Sequence, residues 1–458
     1  MFGLRKESFD GKSKAHSAVF DCFRLLADEG VNSRTLVAYD TLNCNLRGGL
    51  LRPGLGLKMH YVGNSTSPVV LRDTLQRLYA FDRATMVTHA QEFEGLCYYT
   101  SNGNFALVEL DGSSYVLGDT FTGVPHMATV VGQNNQVYTV FTSKGFFYHG
   151  GIGSWKKYPL ENGLTPVCAC KDRLFFAYNT KSIRYSDVYD QRLENTALEG
   201  GGSIHLPYGF GEIQAMVALG NKVYVFEQRG VVCIDVHGSP KDFVVTPLDY
   251  HGGEIYGDSV GVHQGVIWFL AEDGVHRFNG NKFESVAEFL RIRPSVTNKE
   301  CGFGFCGEYY LLQYQDLRQG VRRSVAIHED GKSGYFITDR EALSYGYGRT
   351  LCKNNSHQIC YLAENGGLAY NESFYFESRR TNFGVVGKKT VRKIRVEGEG
   401  TITLYLRSGL KQCELQGKIT NGVLEHKVRL RGEEFSFYIV LNVGACVRSV
   451  QVDFETVE

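Results

Sequence analysis

Val223-Tyr224-Val225-Phe226, a turn over Gln228-Arg229-Gly230, then Val231-Val232-Cys233-Ile234: the architecture of the chain is written in this stretch of twelve residues. β-Branched and aromatic residues crowd both arms and a glycine closes the turn, so it reads as two strands of a hairpin. Forty-four residues on, the pattern returns as Val266-Ile267-Trp268-Phe269-Leu270, turning over Glu272-Asp273-Gly274 into Val275 and Phe278. Looser copies lie upstream, at Cys97–Leu107 around Gly103 and at Val137–Tyr148 around Gly145. A period of about 40–45 residues with four short strands per unit is the signature of a β-propeller blade.

Working outward, seven candidate blades are anchored at Tyr98, Tyr138, Phe175, Tyr224, Trp268, Tyr310 and Tyr361, with gaps of 40, 37, 49, 44, 42 and 51 residues. Six blades is the alternative, because the last two units are irregular. Further hairpins are expected at Asp111-Gly112, His149-Gly150, His237-Gly238 and Asn279-Gly280, where turn chemistry favours the twist of paired strands. The fold class is therefore all-β: a propeller over 82–372, a C-terminal β-sandwich over 373–458 and an irregular N-terminal segment over 1–81. Within that segment, Val19, Phe20, Phe23 and Leu26 predict a helix over His16–Gly30. The sandwich rests on period-two alternation at Ile402, Leu404 and Leu406, at Phe435 through Val443, and at Val450, Val452 and Phe454.

Composition bounds the function. The 458 residues carry 53 glycines against nine prolines, with 27 Tyr and 29 Phe, as many short strands and tight turns require. Lys+Arg and Asp+Glu are equal at 49 each, which argues against a surface that grips nucleic acid all round. None of the twelve cysteines forms a CxxC pair, so reduced, structural thiols in a cytoplasmically assembled protein are expected. Cys168 and Cys170 share a strand face without further ligands nearby. Neither a signal peptide nor an 18-residue apolar run appears, and no membrane span is expected.

No nucleotide loop, HExxH or calcium-loop pattern occurs, and no metal or cofactor is expected. The Leu110–Gly112, Glu272–Gly274 and Glu329–Gly331 triplets read as hairpin turns, and His149 and His237 as turn residues without a fixed carboxylate neighbour. Propeller glycosidases set acids around the central channel; Glu212, Asp235 and Asp258 are available, but nothing in the sequence selects a pair. The chain is read as not an enzyme. The one candidate binding element is Arg379, Arg380, Lys388, Lys389, Arg392, Lys393 and Arg395, seven bases in seventeen residues with no acid among them. On a strand, Lys389, Lys393 and Arg395 would share a face, either as a solvated edge or as a contact for DNA phosphates or an acidic partner.

Three stretches carry a resemblance: Asn45-Leu46-Arg47-Gly48-Gly49-Leu50-Leu51-Arg52-Pro53-Gly54; Asp172-Arg173-Leu174-Phe175-Phe176 followed by Ile183-Arg184-Tyr185-Ser186-Asp187; and Phe376-Glu377-Ser378 through Asn382-Phe383-Gly384 to Lys388–Val396. In this order they resemble the β-propeller tail nozzle proteins, and the related packaged-DNA stabilisation proteins, of short-tailed bacteriophages. Asn382 stands where that family carries aspartate. The resemblance implies a structural virion protein without an active site, assembled in the host bacterial cytoplasm into a ring, a hexamer by expectation. Its place would be the tail or neck below portal and adaptor proteins, where the ring retains or conducts double-stranded DNA. Two other readings stand beside it. The aromatic surplus fits a carbohydrate-binding or glycosidase-like propeller, and the fold alone fits a cellular interaction scaffold.

Overall fold

Seven four-stranded sheets follow one another in the computed structural model, six of them meanders of consecutive strands and the seventh completed by a strand from earlier in the chain. Blade 1 comprises Tyr79–Phe81, Leu96–Ser101, Asn104–Val108 and Ser114–Val116. Blade 2 comprises His126–Val131, Val137–Ser143, Phe146–Gly151 and Ser154–Pro159. Blade 3 runs through Val167–Cys170, Arg173–Asn179, Ser182–Tyr185 and Gly202–His205. Blade 4 is Ile213–Leu219, Lys222–Glu227, Gly230–Asp235 and Val244–Pro247. Blade 5 is Ile255–His263, Val266–Ala271, Gly274–Phe278 and Phe283–Val286. Blade 6 is Cys301–Cys306, Tyr309–Gln315, Arg322–His328 and Gly334–Ile337. Blade 7 takes Glu341–Gly346, Arg349–Lys353 and Ile359–Ala363, and its outermost strand is Gly56–Met59. The structure describes residues 14–25, 33–59, 166–189, 200–317, 320–338, 341–346, 349–353, 359–364, 366–367 and 373–456, and between 79 and 159 the strands just given.

The innermost strands neighbour one another in order from blade 2 to blade 7, and that of blade 7 lies beside that of blade 1. Among the described residues the propeller has seven blades, the first of the two counts expected. The strand Lys222–Glu227 shows why its sequence is apolar without a break. Val223 and Val225 pack among Phe175, Ile183 and Met216 on the blade 3 side, whereas Tyr224 and Phe226 pack among Ile255, Ile267 and Phe269 of blade 5. Both faces are covered, so alternation is lost. Each large side chain buried in this way contributes about 1.5–3 kcal/mol.

Polar residues lock individual blades. Arg173 of blade 3 is buried and donates to the carbonyls of Ser186 and Gly200, with Asp187 at 3.5 Å. The Ser186 hydroxyl accepts from the Leu174 amide (3.0 Å) and donates to the Asp187 carbonyl. In blade 5, Asp273 accepts from the Gly253 amide and contacts the His276 ring, both at 2.9 Å, tying the loop before the blade to its central hairpin. Burial pushes the Asp273 carboxyl up, but those bonds outweigh it and hold the group below its ordinary value of 3.8.

The second compact unit collects residues 1–56, 333–338 and 364–458. Its centre is the twenty-residue strand Lys389–Ser408. The first half pairs with Val423–Gly432 and Cys446–Thr456, and the latter also pairs with Lys14–Phe20. The second half pairs with Lys411–Ile419 and Ser436–Leu441, and the sheet continues through Phe374–Ser378 to Thr35–Leu42. Val391, Ile394 and Val396 from one half share a core with Ile402, Leu404 and Leu406 from the other, so one strand serves both layers of a sandwich. The corner lies at Gly398-Glu399-Gly400. A Cβ on Gly398 would stand 1.9 Å from the Cys446 carbonyl oxygen, and Gly400 has φ +81 with the Ala445 Cα 2.6 Å from where its Cβ would be.

Asn43 clasps three segments of this unit. It is fully buried in the left-handed region (φ 59). Its side chain donates to the Thr338 hydroxyl and the Ser373 carbonyl and accepts from the Thr338 amide, while its backbone amide binds the Phe336 carbonyl. The Tyr335 ring fills the space a Cβ on Gly54 would need, and its hydroxyl accepts from the Leu55 amide. The glycines between Asn45 and Gly54 are thus demanded by backbone geometry and close packing.

Several expectations are corrected. His16–Gly30 does not start as a helix: Lys14–Phe20 and Cys22–Arg24 are strands, separated only by Asp21, whose amide donates to the Arg34 carbonyl. Residues 14–20 and 35–42 are regular strands of the sandwich, not an irregular segment. His149-Gly150 lies inside a strand, and Tyr361 sits on the third strand of its blade, not the second. Val443 lies beyond the strand end at Leu441 and is exposed. His237-Gly238 and Asn279-Gly280 lie in the connections between the third and fourth strands of blades 4 and 5, whereas Asp111-Gly112 lies outside the described residues.

Two stability measurements check this account. Gly400→Ala should lower the unfolding midpoint well beyond Gly422→Ala, since Gly422 also has positive φ (+80) but open space, where only the backbone cost of about 1–2 kcal/mol applies. Asp273→Asn should melt lower than wild type at pH 7. A depressed carboxyl stabilises the fold above its unfolded pKa and loses that contribution as pH falls through the folded value, so the difference should shrink in melts at about pH 3.

Candidate functional site

The basic run is dispersed by the strand that carries it. Lys389 is buried, and its ammonium donates to the Gly387 and Glu433 carbonyls at 2.8 Å each. Burial lowers its pKa, against the pull of Glu433 and Glu434. Against Cys446–Thr456, a register shift between Val391 and Lys393 makes Arg392 the extra residue of a bulge. Lys389 therefore points inward with Val391, Ile394 and Val396, and not with Lys393 and Arg395 as the sequence suggests. Three others meet acids: Arg392 pairs with Glu455 (2.8 Å) and Lys393 with Glu425 (2.7 Å) on neighbouring strands, and Arg395 with Glu397 (3.0 Å) on its own. Arg379, Arg380 and Lys388 are exposed and make no ion pair among the described residues.

The other half of the same strand presents a face that sequence reasoning missed. Outward positions on four adjacent strands bring together Asp40, Tyr375, Glu377, Tyr438, Tyr405 and Arg407. The Arg407 guanidinium lies 4.5 Å from the Tyr438 ring centroid and 6.0 Å from that of Tyr405, and it pairs with Glu377 at 3.2 Å. The Tyr375 hydroxyl donates to Asp40 at 2.7 Å. Burial and then that bond push the Tyr375 pKa up, so the phenol stays protonated. Tyrosine and arginine held rigid on a sheet are the residue types that dominate protein contact surfaces. The available signal was the alternation itself, which put Tyr405 opposite the buried leucines.

At the propeller axis the structure selects one of the three acids considered. Asp258 lies on the innermost strand of blade 5, at the register shift between Tyr256 and Gly261, and its carboxylate is 3.7 Å from Nε2 of His126 on the innermost strand of blade 2. Two blades separate them on one side and three on the other, so the pair reaches across the axial opening. Glu212 precedes the first strand of blade 4 and Asp235 ends its third. Buried histidines also have carboxylate neighbours, in blade 5 (His276–Asp273) and blade 6 (His328–Glu308), in each case beside a turn that the sequence marks only by an acid and a glycine.

The fold defines a β-propeller protein with an attached sandwich. No family model and no curated protein matches the chain. Among solved structures it is similar to virginiamycin B lyase from Staphylococcus aureus, at 11% identity over 64% of this chain and 98% of that one, TM-score 0.42. BBS1N, solved in complex with ARL6DN, is similar at 10% identity over 65% and 97%, TM-score 0.39. The extracellular domain of the one-component system BT4673 from B. thetaiotaomicron is similar at 8% identity over 86% and 58%, TM-score 0.42. The expectation that the chain is not an enzyme is corrected here: lyases stand among these propellers, so the exclusion does not hold. No helix among the described residues is long and apolar enough to cross a membrane.

Lys389→Met should lower stability by about 1–3 kcal/mol, through two unpaired carbonyls, and leave DNA affinity unchanged. Lys388→Ala should leave the melting curve unmoved. Thermal melts and a filter-binding assay on both variants check the division.

Proposed function

We propose that this chain is a structural subunit of a tailed-bacteriophage virion, forming a ring at the tail nozzle or the head-tail junction that retains or conducts the DNA genome. The observation that carries the reading is the order of the three sequence stretches given above. Each occupies a position on which the architecture depends. Asn45–Gly54 leads into the strand completing blade 7, Asp172–Asp187 forms the Arg173–Ser186 lock, and Phe376–Val396 leads into the shared sandwich strand. The Tyr–Arg face supplies a surface for neighbouring subunits, and portal and adaptor proteins are the partners the reading requires. Contact with DNA falls to Arg379, Arg380 and Lys388, since the other four bases are buried or paired. So few contacts suit a conduit, because each phosphate neutralised steepens the salt dependence and slows release.

Mass photometry and negative-stain imaging of the purified chain with portal and adaptor proteins should show rings, six subunits by expectation. Monomer that never joins such particles would overturn the reading, and turnover of a polysaccharide would favour the carbohydrate alternative. Given rings, the triple substitution Arg379→Glu, Arg380→Glu, Lys388→Glu should leave ring formation intact and reduce genome retention.

A further inference from the structure

Two loops at one end of blade 6 carry a group of ligand atoms that no part of the virion reading uses. Glu308, His328 and Glu329 each offer one nitrogen or oxygen, and these atoms all lie within 4.8 Å of one another. Glu308 precedes the second strand and Glu329 follows the third, and the Glu329 amide donates to the Glu308 carbonyl at 2.7 Å, which fixes the two side chains side by side. His328 is 2% exposed, held edge-on by the Tyr309 ring at 5.3 Å, with Nε2 2.8 Å from the Glu308 carboxylate. Two ligands at about 2.0–2.2 Å from one ion stand roughly 3 Å apart, so this nitrogen and oxygen already have the spacing of a shared cation.

The other ring nitrogen adds an independent reason. Nδ1 lies 3.1 Å from both the Asp330 carboxylate and the Asp330 amide nitrogen. With the proton on Nε2, the ring accepts from the amide and donates to Glu308. With the proton on Nδ1, it donates to the Asp330 carboxylate and leaves the Nε2 lone pair to a metal, the outer arrangement that metal-binding histidines use. Arg277 donates to the Glu329 carbonyl at 2.6 Å and has its charge paired with Glu284 at 2.8 Å.

We propose that Glu308, His328 and Glu329, with Asp330 behind the imidazole, bind one divalent transition-metal ion of the zinc class. One imidazole and two carboxylates suit such an ion better than calcium or magnesium, and three protein ligands leave a position for water. The bound ion ties together the two loops at this end of the blade. Zinc is the probe. Full-length protein stripped with a chelator and dialysed against Zn²⁺ should retain one more equivalent than the Glu308→Gln/Glu329→Gln double variant. Both carboxylates are exposed, and the two proteins should melt alike in chelator. Asp330→Asn should weaken zinc affinity about 10–100-fold. Co²⁺ in place of zinc should give ligand-field bands at this site without thiolate charge transfer, and the double variant should lose them. Equal zinc content in the two proteins, or cobalt bands that survive the double substitution, overturns the proposal.

Discussion

A ring of separate sheets is tied shut when its last sheet is completed by a strand from before the first. Here Gly56–Met59 supplies that strand, beside Ile359–Ala363. Everything in the propeller depends on this pairing, because each blade is buried on both faces only while its neighbours stay in place. Blade 4 illustrates it: Val223 and Val225 are covered from one side, Tyr224 and Phe226 from the other. Without closure, blades 1 and 7 would face water and expose unpaired backbone.

The propeller was legible because a strand covered on both faces has to be written as an unbroken apolar run with a glycine turn. Tyr224, Trp268 and Tyr310 fall on equivalent second strands for that reason. Tyr361 falls on a third strand because the second strand of blade 7, Arg349–Lys353, carries no aromatic residue, so the aromatic pattern points to the strand after it. The helix expected over His16–Gly30 failed for a related reason. Phe20 and Phe23 lie on successive strands that pair with different partners on either side of Asp21, so a spacing of three marks a change of strand and not a helical face. The strand that pairs with Lys14–Phe20 lies at Cys446–Thr456, beyond the reach of any local pattern.

The charged elements were less legible, since charge is balanced in space and not along the chain. Seven bases without an intervening acid suggested a positive patch, yet Glu425, Glu455 and Glu397 stand beside three of them. One bulged residue, Arg392, was enough to send Lys389 to the opposite face from Lys393. The histidine–carboxylate pairs were missed for the converse reason: Asp273 reads as a turn residue and nothing in the sequence singles out Glu308, and only the folded hairpins bring them to buried rings. Asp258 and His126 meet across three blades' worth of chain, which no spacing rule could anticipate.

The strand that completes blade 7 also sets a schedule for synthesis. Gly56–Met59 leaves the ribosome about 300 residues before Ile359–Ala363, and at roughly 5–20 residues per second that delay is on the order of 15–60 seconds. During this interval the nascent strand has exposed backbone groups and no lawful neighbour. A polysome would hold many such waiting edges close together, each able to capture the wrong copy's last blade. Whatever shelters residues 56–59 in that window governs how much of the translated chain becomes closed rings of blades.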